Sequence, residues 1–302
     1  MDTDNWKSDL LEKGTSLIKD NSHIYRGKIT DTMALQFHMK MPKGAALREL
    51  TQEHLHLAYW ETPYFYEVIE RLLKEFDVDN SIIADIGCGD GRFTELLIRL
   101  GFKKIIATDV DMRSLESLEK HLIKTCNIDK VLLIHTEVEN IPVKNEICDA
   151  VLCIDVLYYI NDSYIKGLKE LHRLLKKGAD LINSEPDLEG AIYKSVFFET
   201  MDDVYENYFN RIFKEERGDT NYKFRLFSEQ DMMDILSGNG FVVKDKHGLS
   251  LFPSIVRIMM VRGQIKKEDL AKYENRLREV MDYLNVNGKL HKHIIWHSKK
   301  NN

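Results

Sequence analysis

Cysteine is scarce in this chain: four among 302 residues, at Cys88, Cys126, Cys148 and Cys153. No two of them form a zinc-type C-x-x-C pair, and their spacing is not that of a disulfide-stapled scaffold. Reduced thiols in a cytoplasmic protein are therefore expected. A basic surplus is missing too. Lys and Arg number 43 against 49 Asp and Glu, a formal charge of −6. A general nucleic-acid binder needs a basic stripe to neutralise phosphates, so no nucleic-acid partner is expected. No apolar run approaches the roughly 18 residues that span a bilayer, so no membrane association is expected. Residues 1–14 are polar and acidic, without the apolar stretch of a secretory leader. Internal repeats and low-complexity tracts are absent.

What is present is an ordinary globular composition, 43% hydrophobic and 30% charged, which can bury a sizeable core unaided. Residues 1–78 show no convincing strand. Helical spacing recurs from residue 45 to 76 (Leu47, Leu50, His54 and Leu57, then Tyr66, Ile69, Leu72, Leu73 and Phe76), with an interruption expected near Pro63. From residue 81 the texture changes. Short apolar runs at 81–86, 104–108, 131–135, 148–154 and 179–183 alternate with amphipathic helices at 93–100, 112–124 and 164–175. Such alternation predicts a mostly parallel sheet covered on both faces. Residues 188–226 break the pattern and read as helical or irregular. Residues 228–237 resume as a helix with Ser228 as N-cap, and 240–246 and 289–297 read as strands. Within 256–286, Leu270, Leu277, Met281 and Leu284 mark an amphipathic helix. The expected fold is α/β and doubly wound, with a mostly parallel seven-stranded sheet. Residues 1–78 form a helical cap, and residues 79–302 a Rossmann-like core with two helical insertions, at about 188–226 and 256–286.

The informative segment is Asp85-Ile86-Gly87-Cys88-Gly89-Asp90-Gly91, which follows an apolar strand and opens a helix. Glycines let the chain turn tightly and let a ligand touch bare backbone. In open α/β sheets ligands bind at the carboxyl ends of the strands, where this loop falls. Asp109 follows the next strand, where a carboxylate can accept from both hydroxyls of a ribose. A glycine loop with a spaced acid implies a ligand that contains a nucleoside. The dinucleotide fingerprint G-x-G-x-x-G/A is not met, because Arg92 stands at its third position.

The loop reads D-x-G-x-G-x-G instead, which resembles motif I of the class I S-adenosylmethionine-dependent methyltransferases. The resemblance continues through Thr136–Pro142, similar to the family's G-D-A-E-x-L-P stretch with Glu137 for the usual Asp. Cys148-Asp149-Ala150-Val151 is similar to its fourth-strand start. Cys153–Tyr159 resembles the stretch that follows, with Tyr158 and Tyr159 where a histidine pair is frequent. Ser184-Glu185-Pro186 and Arg225-Leu226-Phe227-Ser228 have counterparts too. The matches cover roughly residues 81–248.

The resemblance implies S-adenosylmethionine as cofactor. It places Asp85, the backbone of Gly87, Cys88, Gly89 and Gly91, and the carbonyl near Cys153 around the methionine end, with Asp155 as a polar lid. It places Asp109 and Val110 at the ribose, and Glu137 and Val138 at the adenine. The catalytic base is not identified by the sequence. Tyr158, Tyr159, Glu185 and His56 are candidates near the expected pocket mouth. His291, His293 and His297 share one face of the last predicted strand, but packed or surface histidines explain them better than a metal, and no metal is expected. The expected acceptor is a small molecule methylated at O or N, since a cap and insertions can enclose a modest ligand. A protein or peptide acceptor and a non-catalytic cofactor-binding partner subunit are the alternatives. A homodimer is compatible with the sequence.

Overall fold

The structure, a computed structural model, describes residues 5–19, 22–30, 49, 56–217 and 220–301. An eight-stranded sheet runs in the order β1-β4-β3-β2-β5-β6-β10-β9. Its strands are β1 (Ile24–Arg26), β2 (Ile82–Ile86), β3 (Lys104–Asp109), β4 (Val131–His135), β5 (Cys148–Ile154), β6 (Leu175–Pro186), β9 (Phe241–Ser250) and β10 (His291–Lys300). The pairings from β1 through β6 are parallel, and β10 runs antiparallel to both β6 and β9. A separate hairpin pairs β7 (Ile212–Arg217) with β8 (Thr220–Arg225).

The central strands are apolar on both faces because helices cover both. Ala84, Ile86, Val151 and Cys153 face one layer. It includes α1 (Asn5–Leu10), α5 (Tyr164–Leu174) and α8 (Glu229–Gly238). Ile83, Ala150, Leu152 and Ile154 face the other, made by α2 (Leu57–Leu73), α3 (Arg92–Arg99) and α4 (Met112–Lys124). This two-sided burial is why the core strands read as mostly apolar runs and not as alternating ones. Strand order reverses between β2 and β5, so the crevice for a ligand opens above their carboxyl ends.

Three expectations need correction. The sheet has eight strands, because Ile24–Arg26 pairs in parallel with β4, Ile24 opposite Leu133. Three residues are too few to show a period of two. The segment 188–226 is not simply helical or irregular: α6 (Leu188–Phe198) and α7 (Met201–Tyr205) are followed by the β7–β8 hairpin. Finally, α2 is continuous through Pro63. Pro63 is exposed, so its ring meets no core neighbour where it costs the helix one hydrogen bond. Leu47, Leu50 and His54 fall outside the described residues.

The second insertion forms α9 (Phe252–Val261) and α10 (Lys267–Asn287). Leu270, Leu277 and Met281 of its apolar stripe pack with Trp60 and Val256. No helix among the described residues is long and apolar enough to cross a membrane.

Candidate active site

The glycine loop leaves β2 and folds back onto β3. The amides of Gly87 and Cys88 both donate to the Thr108 carbonyl, at 2.8 and 2.9 Å. Gly87, Gly89 and Gly91 have φ of 72°, 55° and 98°, the left-handed region that costs other residues energy. A Cβ at Gly87 would stand 2.3 Å from Val156 Cγ2, and one at Gly91 2.4 Å from Leu118 Cδ1. A Cβ at Gly89 would meet nothing within 4 Å, because Gly89 borders the cleft. The first and third glycines permit packing; the middle one offers bare backbone to a ligand.

Asp109 faces this loop. Its Oδ2 accepts the Gly89 amide and its Oδ1 the Asp111 amide, both at 2.7 Å. Helix α4 is capped by Asp111, which accepts the Arg113 amide at 3.0 Å. The Asp109 carboxylate is thus oriented at the cleft wall without serving as a helix cap. Asp85 is 1% exposed, beneath the loop rather than on the cleft wall. Burial pushes its carboxyl up to about 6, although Thr94 donates a hydrogen bond to Oδ2 at 2.6 Å. Gly91 and Cys153 likewise sit behind the wall, whereas Gly87, Cys88, Val110, Glu137 and Val138 line the cleft.

At the far end, an N-terminal segment crosses over Glu137. The Thr30 amide and hydroxyl both donate to Glu137 Oε1, and the Glu137 amide donates to the Lys28 carbonyl at 3.0 Å. Glu137 is buried as a result.

Beyond β5 the backbone turns through Asp155, a non-glycine residue with φ of 60°. Its amide donates to Ser184 Oγ at 2.9 Å, and the Ser184 hydroxyl donates back to Oδ1 at 2.6 Å. His293 Nδ1 lies 2.8 Å from Oδ1, and the Arg92 guanidinium 3.7 Å from Oδ2. Burial alone would raise the Asp155 carboxyl, but His293, Arg92 and Ser184 outweigh it and hold it below the usual carboxylate range. Tyr158 and Tyr159 stack at 4.2 Å with Phe224 edge-on to both, and all three line the cleft. Glu185 does not join them. It is 1% exposed, accepts from Tyr164 and Asn183, and sits behind the wall. His56 caps α2 by accepting the Ala58 amide at 3.1 Å, and it reaches the cleft rim.

The cleft encloses about 1290 Å³, more than the roughly 300–1,000 Å³ of a site for one small ligand. The sequence reading missed two of its residues. Arg92 entered only as a departure from the dinucleotide pattern, and His293 only as a strand histidine. The register that sets His293 opposite Pro186 was not visible without the fold.

Residues 84–183 match the family model described as a methyltransferase domain. These residues carry a methyltransferase domain, and that match together with the fold supports S-adenosylmethionine as its cofactor. The residues present fit that group: bare backbone at Gly89, and an acid at Asp109 oriented beside it. A crystal structure of a SAM-dependent methyltransferase from Methanosarcina mazei superposes with a TM-score of 0.54 at 15% identity, covering 76% of this chain and 97% of that one. Among curated proteins, the tRNA U34 carboxymethyltransferase of Campylobacter hominis is 33% identical over 39% of this chain and 41% of its own length. The tRNA (carboxymethyluridine(34)-5-O)-methyltransferase of Mus musculus is 28% identical over 44% of this chain and 20% of its own. The chain thus spans about two fifths or less of the length of these two relatives. These relatives overturn the expectation that no nucleic acid is involved. Net charge averages over the whole surface, whereas one bound RNA needs only a local set of cations.

Proposed function

We propose that this chain methylates an RNA, receiving a single unstacked nucleoside in the cleft beside the donor. The observation that carries this reading is the stacked Tyr158–Tyr159 pair backed by Phe224 on the cleft wall. Aromatic faces of this kind hold bases that have left a stack. The volume supports it, since one cleft has room for donor and nucleoside together. Lys120, Lys124 and Arg257 line the same cleft and make no ion pair among the described residues, so they are available to phosphates. The naming of the relatives after tRNA points the same way.

In this reading Asp109 accepts from the ribose of the donor, and Glu137 and the Val138 amide meet its adenine. The loop from Gly87 to Gly91 approaches the methionine end. The insertions at 188–226 and 256–286 and the N-terminal cap frame the acceptor side. The test is incubation of the protein with methyl-labelled S-adenosylmethionine and unmodified tRNA, then nuclease digestion and mass spectrometry. Label in one nucleoside supports the proposal. Bound donor with no label in any RNA contradicts it.

A further inference from the structure

His293 lies on β10 with its ring on the cleft wall and Nδ1 turned inward, toward Asp155. Nδ1 lies 2.8 Å from Asp155 Oδ1. That carboxylate is immobilised by its reciprocal bonds with Ser184. It is also held at a left-handed backbone position, which folds retain where the surrounding geometry is over-determined. Tyr158 packs edge-on to the imidazole, with ring centroids 5.9 Å apart. A buried carboxylate at Nδ1 selects the tautomer with its proton there. It leaves the Nε2 lone pair outward and stabilises the imidazolium that forms when Nε2 takes a proton. Asp155 stays ionised across the neutral range, because the groups around it keep its carboxyl well below the ordinary value.

We propose that His293 is the general base that removes the acceptor's proton, and that Asp155 is the positioning residue that fixes its tautomer. The inference rests on the reading of the cleft as the site of methyl transfer. It also narrows the acceptor, because a base is needed for a hydroxyl or a ring N–H and not for an ionised carboxylate. A lone pair on the acceptor's O or N forms the new bond to the methyl carbon, and the pair of its O–H or N–H bond stays on that atom as the proton leaves. The bond between that carbon and sulfur breaks with its pair left on sulfur. The proton goes to His293 Nε2 and then to solvent. Tyr158 and Tyr159, the earlier candidates, form the stacking wall in this scheme, and Glu185 is too enclosed to reach an acceptor.

Charged groups from several elements surround this pair. Asp155 follows β5 and Asp187 follows β6, and Arg92, which opens α3, reaches Asp155 from the other side. Lys292, next in the chain, is occupied by Glu61 of α2 at 2.9 Å. The test has two arms. Nitrogen-15 histidine spectra of the full chain at pH 8, with His293 assigned by loss of its signal in His293→Asn, report the tautomer whatever the acceptor. Protonated Nδ1 with bare Nε2 is expected, and protonated Nε2 overturns the inference. In the second arm, methyl transfer to tRNA by His293→Asn and His293→Gln should fall by about 10²–10⁴-fold, with affinity for S-adenosylhomocysteine unchanged. Variants as fast as wild type overturn it. A wild-type protein that labels no RNA yet shows the expected tautomer contradicts the RNA reading and supports this one.

Discussion

The Gly89 amide donates to Asp109 Oδ2 at 2.7 Å, so the loop after β2 is tied to the acid that ends β3. The bond aims the carboxylate along the cleft wall. It also holds Gly89 in a conformation where its missing side chain leaves backbone exposed to a ligand.

Asp109→Ala therefore removes an anchor of the loop as well as an acceptor for ribose. Hydrogen bonds to a charged group contribute about 1.5–3 kcal/mol, so affinity for S-adenosylhomocysteine should fall by about tenfold or more. Calorimetry on the variant and wild type checks this, with thermal unfolding as the control for folding. Unchanged affinity in a folded variant would remove Asp109 from the donor site.

The glycines separate binding from packing. Gly91→Ala drives a methyl to 2.4 Å from the buried Leu118 side chain at φ of 98°. Overpacking costs about 1–3 kcal/mol and the left-handed backbone about 1–2 kcal/mol more. Gly89→Ala has only the backbone cost, because its methyl enters the open cleft. Urea unfolding should show Gly91→Ala clearly less stable than Gly89→Ala, while calorimetry shows Gly89→Ala impaired in donor binding. The reverse order would mean the cleft lies elsewhere.

Much of this core was legible because its signals are local. The runs at 81–86, 131–135 and 148–154 are mostly apolar, as strands covered on both faces tend to be, and they appear as β2, β4 and β5. The glycine loop and Asp109 announced themselves by residue type and spacing. The β7–β8 hairpin did not. Tyr222 and Phe224 alternate with polar neighbours in β8, but the charged residues Lys214, Glu215, Glu216 and Arg217 of β7 masked the period. The pairing of Asp155 with His293 joins a turn after β5 to a strand near the end of the chain, and only the antiparallel register of β10 against β6 brings them together. The small-molecule acceptor expected from the sequence rested on the cap and insertions, and the absence of a nucleic-acid partner on net charge; neither reports which cations line the cleft.

Glu185 gives the fold a pH dependence. Burial pushes its carboxyl from the ordinary 4.5 up to about 8, against the lowering by Asn183 and Tyr164. Between those values the folded chain keeps a proton that the unfolded chain has released, so stability falls as pH rises from about 4.5 to about 8. Glu185→Gln keeps an acceptor for Tyr164 and cannot ionise. It should flatten this slope and exceed wild type in urea midpoint at pH 8. A wild-type midpoint that rises across the window would show that Glu185 is ionised in the folded chain.

The central claim is that the cleft above β2 and β3 binds S-adenosylmethionine as methyl donor. Calorimetric titration of the purified chain with S-adenosylmethionine, S-adenosylhomocysteine and NAD tests it most directly. The account predicts saturable one-to-one binding of the first two, weakened together by Asp109→Ala, and no binding of NAD. Binding of NAD with no response to either sulfur ligand would contradict it.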